Sequence, residues 1–262
     1  MPGILMEIVV STVEDCMAAE SSGADRVELL AAIMTAGLTP SLGTLIEAKK
    51  RVRIPVMVIV RPRAGGFCYS EDDFAVMRRD AAQLLEHGAD GIVFGILHAD
   101  GSVDTKRCEK LLEIAGDKQT VFHRAFDAVP DPVRSLDELI GLGFTRVLTS
   151  GHRSVAVEGR DLIRELIVRA SQRIEVMPAG GVREHNVRQL VEVTGCTEVL
   201  MTAFSARVDA STSASCLRFG SMPGSPSSSY ECVDRKVVQR MREILEEVAQ
   251  GTEGIREEKK QY

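Results

Sequence analysis

The chain has 262 residues, of which 44% are hydrophobic, and carries a formal net charge of -6 at pH 7. This length suits a single α/β barrel or two smaller domains. Acidic and basic residues are interspersed without a basic block, so nucleic-acid binding is disfavoured.

The first residues contain neither a basic stretch nor a long apolar run, which argues against a signal peptide. No apolar run approaches the length that a membrane-spanning helix needs. Six cysteines are scattered without a CxxC pair, and a chain of this size needs no disulfide framework. We therefore expect a cytoplasmic protein with reduced thiols and no membrane partner.

An internal repeat organises the predicted strands. The segment Gly23-Ala-Asp-Arg-Val-Glu-Leu29 is echoed at 88–94, 143–149 and 195–201, each time as a glycine, a short turn and an apolar strand. Further apolar runs occupy 4–10, 54–60, 120–122 and 174–178. The eight predicted strands are nearly continuous in apolar residues, as is typical of strands buried on both faces.

Helical patterns separate these strands. The segment 12–22 opens with Thr12 and Asp15 in the arrangement of a capping box, and 70–87 opens with Ser70 and three acidic residues. Five more helices are predicted at 105–115, 132–142, 161–170, 184–194 and 233–249.

Strictly alternating strands and helices favour a parallel sheet, and eight units favour a closed (β/α)8 TIM barrel forming one domain over residues 1–250. A doubly wound open sheet is the alternative, but no G-x-G-x-x-G follows the first strand.

Two segments depart from the pattern of alternating strands and helices. Residues 205–229 are rich in Ser, Gly and Pro and predict a long loop after strand 8, and residues 251–262 predict a charged, flexible tail.

Two glutamates interrupt predicted strands, and polar residues near strand C-termini face the site in barrels. Glu7 lies in the first strand and Glu28 in the second. A carboxylate buried there is costly unless it is paired or binds a ligand. One interpretation is a structural ion pair with Arg61 or Arg63, and the other is a pair of carboxylates acting as general acid and base or as ligand anchors.

Arginines and a histidine follow two other strands. Arg61 and Arg63 end the third strand, and guanidinium groups bind carboxylate or phosphate through two parallel hydrogen bonds. His123, Arg124 and Asp127 follow the fifth strand. We predict His123 as a proton-transfer residue oriented by Asp127, with Arg124 binding ligand. The alternatives are a satisfied structural histidine and an Asp127 that caps the following turn.

The ends of strands six and seven add polar and glycine positions. Thr149, Ser150 and Gly151 end strand six, and Gly180 with Gly181 follows strand seven, where barrels often bind phosphate. No lysine ends a predicted strand, which disfavours a Schiff-base enzyme. No nucleotide or pyridoxal phosphate cofactor is indicated.

Several strings in this chain resemble the CutC family of copper-homeostasis proteins. They include Gly23-Ala-Asp-Arg-Val-Glu-Leu29, Thr39-Pro-Ser-Leu-Gly43, Arg61-Pro-Arg63 and Phe122-His-Arg-Ala-Phe-Asp127, and the similarity runs from about residue 5 to the final helix. The resemblance implies a (β/α)8 barrel, a cytoplasmic location, a homodimer and Cu(I) as ligand. Where many members of the family have cysteine, this chain has Val9 and Leu30.

Three functions therefore remain open at the level of sequence. The first is Cu(I) binding or buffering, for which Cys68 is the candidate thiol and Met34 and Met57 are candidate soft donors. The second is an isomerase or lyase that acts on a small anionic metabolite through the polar residues at the strand ends. The third is an inactive barrel that serves as a scaffold.

Overall fold

The structure is a computed structural model that describes residues 3–212 and 229–258. Eight parallel strands alternate with helices along the chain. The strands are β1 (Leu5–Val10), β2 (Arg26–Leu29), β3 (Val56–Ile59), β4 (Gly91–Phe94), β5 (Gln119–Phe122), β6 (Arg146–Thr149), β7 (Glu175–Pro178) and β8 (Glu198–Met201). The helices are α1 (Val13–Ser21), α2 (Leu42–Arg51), α3 (Glu71–Glu86), α4 (Thr105–Ala115), α5 (Pro132–Leu142), α6 (Arg160–Ala170), α7 (Val187–Thr194) and α8 (Arg235–Glu258).

The strands follow one another around the barrel. Hydrogen-bonded neighbours run β7-β6-β5-β4-β3-β2-β1-β8, and every pair is parallel. The two ends of this order, β7 and β8, lie side by side, and the Thr197 hydroxyl donates to the Glu175 carboxylate across them at 2.7 Å. The sheet therefore comes round to a nearly closed barrel, which confirms the predicted (β/α)8 fold.

Side-chain caps fix where the helices begin. Thr12 caps α1 and Asp15 returns the bond to the Thr12 backbone; Ser70 and Asp73 do the same for α3. Helix α2 was not predicted, because only Leu45 and Ala48 of its ten residues are buried and its apolar stripe is short. The strand C-termini all face one end of the barrel, where the connecting loops surround its mouth.

The segment after β8 differs from the predicted loop. Its two ends form an antiparallel ribbon of β9 (Phe204–Val208) and β10 (Ser229–Val233), and residues 213–228 lie outside the described residues. Helix α8 continues to Glu258, so it includes the first part of the predicted 251–262 tail. Within the described part of the chain, no helix combines the length and apolar character needed to cross a bilayer.

The core has two apolar layers. The outer layer joins strands to helices and includes Phe94, Phe122 and Phe144. The ring centroid of Phe144 lies 5.1 Å from that of Phe94 and 5.4 Å from that of Phe122. Each fully buried side chain of this size contributes about 1.5–3 kcal/mol. The inner layer fills the barrel itself and comprises Val9, Leu30, Met57, Ile59, Val93, Val121, Leu148, Met177, Ala179 and Leu200. This inner layer forms an apolar floor beneath the strand C-termini.

Candidate functional site

Two adjoining cavities lie above this floor at the mouth of the barrel. The larger, of about 300 Å³, is lined by Glu28, Arg61, His123 and Arg124 among apolar side chains. The smaller, of about 190 Å³, shares Glu28 and Arg124 with it and extends to Gly180 and Gly181. Six of the predicted site residues are therefore brought to one place by four different strands and the loops that follow them.

Arg61 is a buried cation in the wall of the larger cavity, with 4% of the residue exposed. Nη1 donates to the carbonyls of Thr35 and Gly37 at 2.7 and 2.8 Å, and Nη2 donates to the carbonyl of Gly65 at 2.7 Å. Within the described residues, Arg61 forms no ion pair and its Nε has no hydrogen-bond partner. Because a buried charge without a counter-ion is costly, this wall is complementary to an anion.

His123 lies in the same wall and is also buried. Its Nδ1 accepts a hydrogen bond from the Ala125 N–H at 3.1 Å, so the neutral ring carries its proton on Nε2. Burial, followed by the charge of Arg61, lowers the pKa of His123 to about 3. The imidazole is therefore neutral at physiological pH, and its Nε2–H, which has no partner among the described residues, is a free donor.

Glycine at position 95 makes room for this imidazole. A Cβ on Gly95 would lie 2.6 Å from the His123 Nδ1, closer than real contacts allow. On the other side of the ring, Phe67 lies with its centroid 4.9 Å away. The ring is thus held between the end of β4 and the loop after β3.

Glu28 lines both cavities and is almost fully buried. Burial raises its pKa to about 8, and the nearby charge of Glu7 acts in the same direction, whereas Arg26 and Arg146 oppose it. Its Oε2 has no hydrogen-bond partner among the described residues. A carboxyl group with a pKa near neutrality can both give and take a proton, which is the requirement for general acid–base chemistry.

Glu7 lies deeper in the barrel than Glu28 and does not line either cavity. Its carboxylate accepts a hydrogen bond from the Nε of Arg26, the residue opposite it in the β1–β2 register. Arg26 also pairs with Glu198 at 2.6 Å, and Glu198 pairs with Arg146 at 2.7 Å. The structural ion pair considered for Glu7 is therefore present, but its partner is Arg26 and not Arg61 or Arg63.

Arg63 points away from the cavities that Arg61 lines. Its Nε donates to Asp73 at the start of α3 at 2.8 Å, and its Nη2 donates to the carbonyl of Cys68 at 2.8 Å. Its guanidinium also lies over the Tyr69 ring, 5.0 Å from the centroid. Arg63 therefore ties the loop after β3 to α3, and the two arginines do not form a shared clamp.

Asp127 organises the end of β6. One carboxylate oxygen accepts from the Thr149 hydroxyl at 2.6 Å, and the other accepts from the Ser150 hydroxyl at 2.9 Å and from the Arg124 Nε at 2.7 Å. Asp127 therefore holds Arg124 and is not the hydrogen-bond partner of His123. Thr149, Ser150 and Gly151 are bound within this network and do not line the two cavities.

Gly180 allows Arg124 to reach the cavity wall. It has a φ of +95°, and a Cβ there would lie 2.7 Å from the Arg124 Nη1. Gly181 follows with a φ of +68°, and both glycines line the smaller cavity. The pair therefore lies in the wall of the smaller cavity, and ligand binding by these glycines stays a prediction.

The soft donors do not meet at this site. Cys68 is exposed on the loop after β3, Met34 is 66% exposed, and Met57 is fully buried in the barrel interior. Three other thiols, those of Cys16, Cys108 and Cys196, are buried, and burial raises their pKa values. No group of three His, Cys, Asp or Glu side chains suited to a metal ion occurs among the residues that the structure describes. This donor set does not fit Cu(I), which prefers thiolate and thioether ligands.

Sequence reasoning missed the ion-pair network of Arg26, Arg146 and Glu198. The sequence did contain a signal for this network, because each of the three residues is the fourth residue of a repeat copy. The four copies supply alternate strands of the barrel. Side chains from alternate strands share a layer in a barrel interior. Arg183 and Thr202, which line the smaller cavity, were also missed.

Comparisons with known proteins agree with this architecture. The model of the CutC family matches residues 4–205. A CutC family protein of Treponema denticola is 49% identical over 214 residues, which cover 82% of this chain and 87% of the relative. A human protein named copper homeostasis protein cutC homolog is 46% identical over 205 residues, covering 78% of this chain and 75% of the relative.

Solved structures give the same result. A CutC crystal structure from Streptococcus agalactiae has a TM-score of 0.72 and 34% identity, covering 75% of this chain and 97% of that chain. Phosphoribosylanthranilate isomerase from Thermotoga maritima, with a TM-score of 0.53 and 14% identity over 93% of this chain and 98% of that chain, shares the fold alone. The family match, the two relatives and the 34% identical structure together establish that this chain belongs to the CutC family.

Proposed function

We propose that this protein is an enzyme that transfers a proton on a small anionic metabolite, as an isomerase or lyase does. The observation that carries the proposal is Arg61, a buried guanidinium with a free Nε and no carboxylate partner among the described residues. A substrate carboxylate or phosphate supplies the missing counter-ion and accepts the Nε–H.

His123 and Glu28 complete the proposed site. The neutral Nε2–H of His123 donates to a substrate oxygen that gains negative charge, as a preorganised donor does in other enzymes. Glu28 takes a proton from the adjacent carbon and returns it at the neighbouring atom, with its raised pKa placing both protonation states within reach. Arg124 lines the same cavity, and the charge of Glu7 helps to raise the pKa of Glu28.

Ligand-induced thermal stabilisation tests the anion site. Small carboxylates and phosphates are screened against the full chain, and each hit is repeated with Arg61→Met and with Arg63→Met. Arg63 is the matched control, because it is an arginine two residues away that lies outside the cavity. We expect Arg61→Met to abolish the shift and Arg63→Met to retain it. Equal loss in both variants, or no shift with any anion, contradicts the proposal.

Turnover is tested separately on any anion that stabilises the protein. Proton exchange at a carbon of the bound acid is followed by NMR in deuterated water, with wild type, Glu28→Gln and His123→Asn. We expect exchange in wild type alone. If the anion binds to all three proteins but none of them exchanges the proton, the barrel only binds anions, and the proposed enzyme activity is contradicted.

Cu(I) is the second candidate ligand, and its support is the name of the human and mouse relatives as copper homeostasis protein homologues. Among the described residues, Cys68 is the candidate thiol, on the loop after β3. A Cu(I) titration against a chromophoric chelator under reducing conditions tests it with wild type and Cys68→Ser. Stoichiometric uptake that is lost in Cys68→Ser supports copper binding, and absence of uptake by wild type contradicts it. The third function, an inactive scaffold, is not supported, because the mouth of the barrel holds two cavities whose lining residues carry polar atoms without a hydrogen-bond partner among the described residues.

A further inference from the structure

The smaller cavity has its own set of unused hydrogen-bond donors. Arg124 uses Nε and Nη2 on Asp127 and Ser150, and its Nη1 has no hydrogen-bond partner among the described residues. The Thr202 hydroxyl is also buried without a partner in that part of the chain. Both groups line the cavity of about 190 Å³.

Arg183 adds a cation that is not neutralised. Its Nη1 donates to the carbonyl of Val182 at 2.9 Å, and it forms no ion pair with the described residues. The adjacent Glu184 is paired instead with Arg240, 3.4 Å away. Arg183 therefore brings an uncompensated positive charge to a cavity in which Arg124 is already balanced by Asp127.

Glu28 joins the two cavities, since it lines both. Its Oε2 is buried and unpartnered among the described residues, and burial raises its pKa to about 8, so it adds little negative charge at neutral pH. A molecule that spans both cavities passes this carboxyl group. Arg61 and His123 lie on one side of it, and Arg183 and Thr202 lie on the other.

We infer that the ligand carries two anionic groups at opposite ends, one bound by Arg61 and His123 and the other by Arg183, Thr202 and the Nη1 of Arg124. The inference rests on the proposed function and narrows its substrate class to dicarboxylates or phosphorylated acids. The carbon that exchanges a proton lies between the two anions, next to Glu28.

Calorimetric titration with four probes at pH 7 tests this assignment. Butyrate carries one anion, succinate and glutarate carry two carboxylates, and 3-phosphonopropionate carries a carboxylate and a phosphonate. We expect at least one of the three bifunctional probes to bind at least about tenfold more tightly than butyrate, since a second charge-assisted contact contributes that much. The tighter class, dicarboxylate or phosphonate, identifies the second anion.

Variants assign the gain to residues. Arg183→Ala and Thr202→Val reduce the affinity of the bifunctional probe toward that of butyrate. The control Arg164→Ala, an exposed arginine on α6, changes neither. Equal affinities of butyrate and the three bifunctional probes overturn the inference but leave the proposed function standing, provided that Arg61→Met still abolishes binding. Failure of Arg61→Met to weaken any probe overturns the proposed function as well.

Discussion

Arg61 and His123 line the same cavity, and the guanidinium acts together with burial to lower the pKa of the imidazole. Neither the Arg61 Nε nor the His123 Nε2 has a hydrogen-bond partner among the described residues. The cavity lining therefore combines one fixed positive charge with one neutral imidazole.

The low pKa of His123 predicts a loss of stability in acid. Between pH 6.5 and about 3 the unfolded imidazole binds a proton that the folded one does not, so its contribution is present above pH 6.5 and is lost as the pH falls. His123→Asn keeps an acceptor for the Ala125 N–H but removes the titration. The stability difference between wild type and this variant shrinks by about 2 kcal/mol from pH 7 to pH 5. Urea unfolding measures it, and a constant difference contradicts the prediction.

The raised pKa of Glu28 predicts the opposite dependence. Between pH 4.5 and about 8 the folded carboxyl group retains a proton that the unfolded one releases, so stability is lost as the pH rises through this range. Glu28→Gln is neutral at every pH and removes this loss. Its stability relative to wild type rises by on the order of 4 kcal/mol between pH 5 and pH 9, as measured by urea unfolding.

The control for Glu28→Gln is Glu47→Gln, a change of the same kind in an exposed ion pair on α2. We expect Glu47→Gln to show no comparable gain at pH 9. A gain of equal size in both variants would mean that net charge, and not burial of Glu28, sets the dependence.

Gly95→Ala tests the placement of His123. The added Cβ would lie 2.6 Å from the imidazole and 2.9 Å from the Ala125 Cβ, so the ring must move out of its position. We expect destabilisation of about 1–3 kcal/mol, typical of overpacking. Anion binding should weaken with it, because His123 no longer holds its place in the cavity wall.

The matched substitution is Gly141→Ala in α5, where a Cβ meets nothing within 4 Å. Alanine there stabilises the helix by about 0.5–1 kcal/mol. Thermal unfolding measures the stability of both variants relative to wild type. A Gly95→Ala variant as stable as wild type would contradict the close packing described around His123.

Glu7→Gln tests the ion-pair network at the base of the barrel. Removing this charge leaves Arg26 buried with a weaker counter-charge, and breaking a buried pair costs about 3–5 kcal/mol. Glu138→Gln removes one partner of an exposed pair with Arg134 and should cost much less. Similar losses in the two variants, measured by urea unfolding, would contradict a structural role for Glu7.

The sequence by itself determined the eight strands, most of the helices and the barrel, because apolar periodicity, caps and a repeat are local properties of the chain. It also predicted Glu28, Arg61, His123 and Arg124 as site residues, since each lies in or just after a strand. Their convergence on shared cavities followed from the barrel, which gathers the ends of parallel strands at one mouth.

Tertiary structure alone decided the partners of the charged residues. Arg61 and Arg63 are two residues apart and chemically identical, yet one is buried in the cavity wall and the other ties a loop to α3. Glu7 pairs with Arg26 across adjacent strands, a contact set by strand register. Such choices depend on distances between segments far apart in the chain, and neither periodicity nor composition records those distances.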